Sequence, residues 1–298
     1  MSVVEKTIRK LQESQQRAGE VAGNIPSPSA HHETADETGE PASPACARGA
    51  IITVERGTLR SAGLMPAEQD AQLLTRQYRK IKRPLITAAI GREGPRLPRG
   101  YLIMIASAMA GEGKTFTAVN LAFSMAREKD VRVLLVDADV AKPQLSNLLG
   151  LGEARGLLDV LRQPDLDVES LIHPTDLPTL SVLSAGTAGD DATELLSSTS
   201  MDRLAQELGR NDSRRIVLLD SPPLLQTTES SALAHVAGQI VVVVRAEFTP
   251  QPVLIDALKT LEGHPALSLV LNQSMRSVTS EYYYYGYGTE RAGSDVSR

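Results

Sequence analysis

The segment Ser107-Ala-Met-Ala-Gly-Glu-Gly-Lys-Thr115 follows a short apolar run and precedes a helical pattern of Phe116, Val119, Leu121 and Phe123. Glycines, a lysine and a hydroxyl in that order are what a phosphate-binding loop requires. Its backbone N–H groups must turn inward around phosphate oxygens, and the N-terminus of the next helix adds partial positive charge. Gly111 and Gly113 permit the close backbone approach, Lys114 can reach the outer phosphates, and the Thr115 hydroxyl can ligate Mg2+. Ala110, Glu112 and Phe116 complete the candidate nucleotide-binding stretch, and Ala108 stands where the usual pattern begins with glycine. A chance Gly-rich turn is the alternative. The correct strand, spacing and helix together weigh against it.

Two more strand ends carry acids. Val131–Val136 runs into Asp137-Ala-Asp139, followed by Lys142-Pro143, and Ile216–Leu219 ends in Asp220-Ser-Pro-Pro223. Carboxylates at the C-terminal ends of parallel strands sit where such sheets bind ligands. Asp137 and Asp139 could share metal and base duties, and Asp220 could hold Mg2+ directly or through water. Pro222 and Pro223 stop their strand sharply. Each acid alone could be an ordinary strand-to-loop turn, and the weight lies in the combination. Asn272, at the end of the last apolar strand, could read a nucleobase edge or cap a turn.

The elements that must position these residues follow from periodicity. Strands are expected at Leu102–Ala106, Val131–Val136, Leu180–Leu183, Ile216–Leu219, Ile240–Val244 and Leu267–Leu271. Helices are expected at Lys114–Glu128, Ala192–Gly209, Glu229–Val236 and Pro250–Leu261. Near-continuous Val/Ile/Leu strands alternating with amphipathic helices predict a doubly wound, mostly parallel α/β sheet flanked by helices, the P-loop NTPase class, across 101–273. Upstream, 51–100 reads as a basic helical lead-in. Its run Ala67–Arg83 carries Arg76, Arg79, Lys80, Lys82 and Arg83, either a solvated face or a contact surface, and Pro84, Pro95 and Pro98 mark breaks.

Residues 1–17 suit a short amphipathic helix, with Val3, Val4, Ile8 and Leu11 among charged positions. The Pro/Ser/Ala/Glu-rich stretch 18–50 cannot bury enough apolar surface to offset chain entropy and reads as a disordered linker. His31 and His32 lie in it with no companion ligands. The 274–298 tail is Ser/Gly/Tyr-rich and reads as exposed and flexible.

The chain has 298 residues and a formal charge of −5, from 31 Lys+Arg against 36 Asp+Glu. That balance argues against whole-surface nucleic-acid binding. One cysteine, Cys46, excludes an internal disulfide framework and a Cys-rich zinc site. No apolar run approaches a membrane span, and the N-terminus is too polar for a signal peptide, so a cytoplasmic protein is expected. Aromatics are only 3%, yet five of the 7 tyrosines cluster as Tyr282, Tyr283, Tyr284, Tyr285 and Tyr287. Exposed phenols beside a nucleotide-phosphate site read as phosphoryl acceptors.

Together, SAMAGEGKTFTAVNLA (107–122), VLLVDADVAKPQLSNLLGL (133–151), TELLSS (193–198), IVLLDSPP (216–223) and the YYYYGYG cluster resemble the bacterial tyrosine kinases (BY-kinases) of polysaccharide export systems, in particular the exosortase-associated tyrosine autokinases. With IKRPLI (81–86) the likeness covers about 76–288. The resemblance implies an ATP- and Mg2+-dependent autokinase whose copies phosphorylate each other's tyrosine tails and so regulate exopolysaccharide polymerisation and chain length. It implies Lys114 and Thr115 for ATP and Mg2+, Asp137 as the base toward the phenol or a metal ligand, and Asp139 and Asp220 as organisers of Mg2+. It implies a homo-oligomer, with a ring possible, and a separate membrane-embedded activator that brings the kinase to the inner face of the plasma membrane.

Two departures stand out. Ala141 followed by Lys142 replaces an Arg found in many relatives, and Arg76 occupies the acidic position of the family's ring-forming helix motif. The alternative reading is a ParA/MinD-like partitioning or positioning ATPase. Such proteins usually carry a second Lys five positions before the P-loop Lys, where this chain has Met109. A third reading is a nucleotide-binding adaptor without turnover, against which the intact Lys114, Asp137, Asp139 and Asp220 argue.

Overall fold

The computed structural model describes residues 51–91 and 96–274. The expected N-terminal helix and linker (1–50), Pro95 and the tyrosine cluster lie outside the described residues.

Seven strands form one sheet: β1 (Leu102–Ser107), β2 (Arg132–Asp137), β3 (His173–Pro174), β4 (Leu180–Leu183), β5 (Arg215–Asp220), β6 (Gln239–Arg245) and β7 (Leu267–Asn272). Their order is β3-β4-β2-β5-β1-β6-β7, parallel throughout except where β3 pairs antiparallel with β4. Successive crossovers leave β1 toward β2 and later return past it to β6, so β1 is the topological switch point. Strand alternation splits the core in two. Leu102, Met104 and Ala106 of β1 enter one apolar cluster, while Ile103 and Ile105 enter the other.

The first cluster is covered by α5 (Leu157–Arg162), α6 (Ala192–Leu196), α7 (Thr199–Arg210), α8 (Glu229–Val236) and α9 (Gln251–Thr260). The second is covered by α1 (Arg56–Ser61), α2 (Ala71–Ile90) and α3 (Lys114–Met125). A short α4 (Gln144–Leu148) follows the Asp137–Asp139 loop. Residues 51–91 are thus part of the same body, since Leu59, Tyr78, Leu85, Ile86 and Ala89 are buried in the second cluster.

Three expectations need correction. Pro84 does not break its helix: α2 continues through it to Ile90 and ends at Gly91, whose φ of 73° is left-handed. Burial of Leu85, Ile86 and Ala89 beyond the proline outweighs its one missing N–H donor. The single helix expected over Ala192–Gly209 is two. The Ser198 backbone is extended, with ψ of 162°, and its hydroxyl accepts the Ser200 N–H at 3.2 Å, capping α7. Third, Lys82 is not on a solvated face. It is buried, donating to the Ser124 carbonyl at 2.6 Å and pairing with Glu128 at 2.8 Å. Arg76, Arg79, Lys80 and Arg83 are exposed, as a helix with one buried stripe requires.

Candidate active site

β1 delivers the chain into the Ser107–Thr115 loop, and the loop delivers it into α3. Two positive φ values make the turn, 81° at Gly111 and 95° at Gly113. A Cβ on Gly113 would also lie 2.1 Å from the Asn272 amide nitrogen. That amide donates to the Glu112 carbonyl at 3.0 Å, so the end of β7 braces the loop. Glu112 itself points inward and is fully buried. Its carboxylate accepts the Met109 N–H at 2.6 Å and the Thr249 hydroxyl. The Glu112 side chain is thus turned away from the cavity over the loop, and Glu112 does not line it, unlike its expected place in the nucleotide-binding stretch.

A cavity of about 800 Å³ opens over this loop. Ala110, Gly111, Gly113, Lys114, Thr115 and Phe116 line one side, and Asn272 and Gln273 another. Asp139, Ala141, Lys142 and Gln144 face them from the loop after β2, with Pro222, Pro223, Gln226 and Thr227 from the loop after β5. Gly63 and Leu64 close the remaining side. Asp137 and Asp220 are not on the wall. They lie beneath it at 0% and 1% exposure, paired in register at the ends of β2 and β5.

The electrostatics follow from that burial. Asp220 is pushed up to about 8, first by desolvation and then by Asp137 beside it, with the Thr115 hydroxyl and Lys114 opposing. Desolvation also raises Asp137 to about 6, against two hydrogen bonds from Ser146. Asp139 is raised by its burial, with Lys114 opposing. Lys114 is depressed by burial, and Asp220, Asp139 and Glu112 pull it back. Oδ1 of Asp137 and Oδ1 of Asp220 are buried without a hydrogen-bond partner among the described residues.

Two facing buried carboxylates with bare oxygens, next to a hydroxyl and under a phosphate-binding loop, fit a hard divalent cation. Mg2+ is held by one or two carboxylates and otherwise by substrate phosphates and water. Thr115 and Asp220 could hold it, with Asp139 at the cavity wall.

Sequence reasoning missed Ser146, whose N–H and hydroxyl both reach Asp137 Oδ2 at 2.8 Å. A serine nine positions past an acid, on a one-turn helix, carries no periodic signal. Glu112 is expected from the sequence to bind nucleotide, and its inward turn was not readable; nor was the Gly63–Leu64 wall.

Among known proteins, a family model described as an AAA domain matches residues 100–262. The tyrosine-protein kinase YwqD of Bacillus subtilis (strain 168) is 31% identical over 233 residues, covering 78% of this chain and 94% of YwqD. The tyrosine-protein kinase Wzc of Salmonella typhimurium is 28% identical over 191 residues, covering 62% of this chain and 26% of Wzc. The chain thus spans nearly all of the first relative but about a quarter of the second. Of solved structures, the kinase domain of VpsO superposes with a TM-score of 0.57 at 25% identity, over 70% of this chain and 100% of that one. The chimerical protein CapA2B2 shares the fold, with a TM-score of 0.60 at 23% identity over 77% of this chain and 96% of that one.

Proposed function

The chain belongs to the bacterial tyrosine-protein kinases, and from that premise we propose that it moves the γ-phosphoryl group of ATP onto its own C-terminal phenols, Tyr282, Tyr283, Tyr284, Tyr285 and Tyr287, the tail of one copy serving the site of another. The observation that carries the reading is the buried Asp137/Asp220 pair beneath a cavity lined by Lys114 and Thr115. It combines a triphosphate cradle, a cation site and a spare carboxylate oxygen.

The loop N–H groups and Lys114 grip the phosphates and fix the γ-phosphorus in line with the phenol. Asp137 lies beneath the cavity wall, so its Oδ1, unpartnered among the described residues, would take the phenol proton through one bridging water. The phenol oxygen bonds to phosphorus as the bond to the β–γ bridging oxygen breaks, leaving ADP. Thr115, Asp139 and Asp220 would hold Mg2+, which would supply neutralisation of the charge developing on the phosphates. Lys114 and the helix dipole of α3 do the same from the loop side.

The wider role we assign is control of exopolysaccharide synthesis, export and chain length, on the strength of the motif resemblance. No helix among the described residues is long and apolar enough to cross a membrane. A separate membrane-embedded activator would then hold the kinase at the inner face of the plasma membrane.

Mixing two variants tests transfer between copies. Lys114→Ala protein with an intact tail is incubated with protein lacking Tyr282–Tyr287 and Mg-ATP. Phosphotyrosine is expected on the Lys114→Ala chain only in the mixture. A Lys114→Ala chain that stays unlabelled there, while the wild-type protein labels itself, would sink transfer between copies.

A further inference from the structure

The Gly63–Pro66 segment separates two cavities. Gly63 and Leu64 face the nucleotide cavity, whereas Met65 and Pro66 face a second one of about 390 Å³ between α1, α2 and α3. Asn120 of α3 fixes this divider by donating to the Leu64 carbonyl at 2.9 Å. The second cavity is in the size range of small-ligand sites.

Half-buried Met65, Leu74 and Phe123 give it an apolar bed, and exposed Arg56, Arg60, Arg79 and Arg127 stand around it. In a chain of net charge −5 this concentration of guanidinium groups is local. Some of the charge is already answered. Arg60 pairs with Glu68 at 2.7 Å, Lys82 is held by Glu128 and the Ser124 carbonyl, and Arg56 lies 5.8 Å from the Phe123 ring centroid. Arg79 and Arg127 make no hydrogen bond or ion pair with any described residue.

An apolar bed flanked by two uncommitted guanidinium forks matches an aryl phosphate. The ring lies on the apolar side chains, and the phosphate accepts paired N–H bonds that a lysine could not supply in that geometry. We propose that this groove binds phosphotyrosine and that its occupant is the phosphorylated Tyr282–Tyr287 segment of this chain. The inference rests on the proposed phosphorylation of that segment.

Chain length supports the choice of occupant. The described chain ends at Ser274, next to Gln273 on the nucleotide-cavity wall, and Tyr282 lies eight residues further on. Eight extended residues span about 26 Å, about twice the length of the four-residue Gly63–Pro66 divider that stands between the two cavities. Unmodified, the stretch Glu281–Glu290 carries only its two terminal carboxylates, so one phosphate, about −1.5 to −2 at pH 7, roughly doubles the charge the groove attracts. Capture there removes a finished phenol from the transfer site and leaves room for the next.

The test uses full-length Lys114→Ala protein, whose own tail stays unmodified, titrated calorimetrically with a synthetic peptide of residues 279–290 phosphorylated at Tyr284. Binding is expected, with at least about tenfold loss in Arg79→Gln/Arg127→Gln, because hydrogen bonds to charged groups are worth about that much. The same loss in Arg79→Lys/Arg127→Lys would tie it to the guanidinium forks. Both side chains are exposed, so unchanged melting of these variants is expected. Equal binding of the unphosphorylated peptide, unchanged binding in the Arg variants, or displacement by inorganic phosphate at peptide-like concentration would each overturn the proposal. Since the phosphate is installed synthetically, a kinase that never labels its tail leaves this result readable.

Discussion

Ser146 holds one oxygen of Asp137 from two sides, its N–H and its hydroxyl each 2.8 Å from Oδ2. The same hydroxyl accepts the Ala185 N–H at 3.1 Å, which ties the loop after β4 to the end of β2. With Oδ2 committed, Oδ1 is the acceptor left over. Ser146→Ala removes the hydroxyl contact and orphans a buried N–H, so stability is expected to fall by about 1–3 kcal/mol. Autophosphorylation kcat is expected to drop by about tenfold or more, with KM for ATP little changed. Steady-state kinetics settle it: a raised KM with unchanged kcat would place Ser146 in nucleotide binding instead. In an Asp137→Asn background the Ser146→Ala change should cost little further rate.

Asp137→Asn keeps the shape and removes the proton acceptor, and a loss of about 10² to 10⁴ in transfer rate is expected. The pH profile carries the same information. Asp137 sits near 6, raised by desolvation, and is active only when unprotonated. The rate should therefore fall as pH drops through about 6. A wild-type profile flat from pH 5 to 8 would remove Asp137 from the proton transfer.

The Asp137/Asp220 pair also affects stability. An acid whose folded pKa is raised contributes its stability below its unfolded pKa and loses it as pH rises through the folded value. For Asp220 that window runs from about 4 to about 8. Nucleotide-free protein should thus be less stable at pH 8 than at pH 5 through this group. Asp220→Asn is expected to raise Tm at pH 8 by a few degrees or more, with a smaller gain at pH 5. It should also abolish Mg2+-dependent stabilisation by ATP. Differential scanning calorimetry at both pH values decides, and an equal gain at the two would contradict the assignment.

Gly113→Ala tests the loop. Its φ of 95° strains any residue with a Cβ, and a methyl group there would push the Asn272 amide off the Glu112 carbonyl. Nucleotide binding is expected to be lost while the fold survives, read by ATP titration against the melting curve. Retained ATP affinity would show that the β7 end does not brace the loop.

Six of the seven strands were legible because each is an aliphatic-rich run bounded by turn residues; five of them are buried on both faces of the sheet, while β7 at the edge leaves Leu269 and Leu271 exposed. β3, His173–Pro174, was not, since two residues held by their antiparallel neighbour carry no pattern. Ser198 escaped notice because a cap inside an unbroken apolar periodicity looks like one more helical position. Lys82 was misread because its charge outweighed its place on the Tyr78–Leu85–Ala89 stripe. At the site, Gly111, Gly113, Lys114 and the strand-end acids were visible as residue types at fixed offsets. The inward turn of Glu112 and the contact from Ser146 depend on where separate segments meet, which spacing along the chain does not encode.

The central claim is that this site carries phosphate from ATP to the terminal phenols. Purified protein is incubated with Mg-ATP and its modified residues are mapped by mass spectrometry, beside Lys114→Ala. The account predicts phosphate on Tyr282–Tyr287 in the first sample and none in the second. ATP turnover without phosphotyrosine, or equal labelling of the Lys114→Ala chain incubated alone, would contradict it.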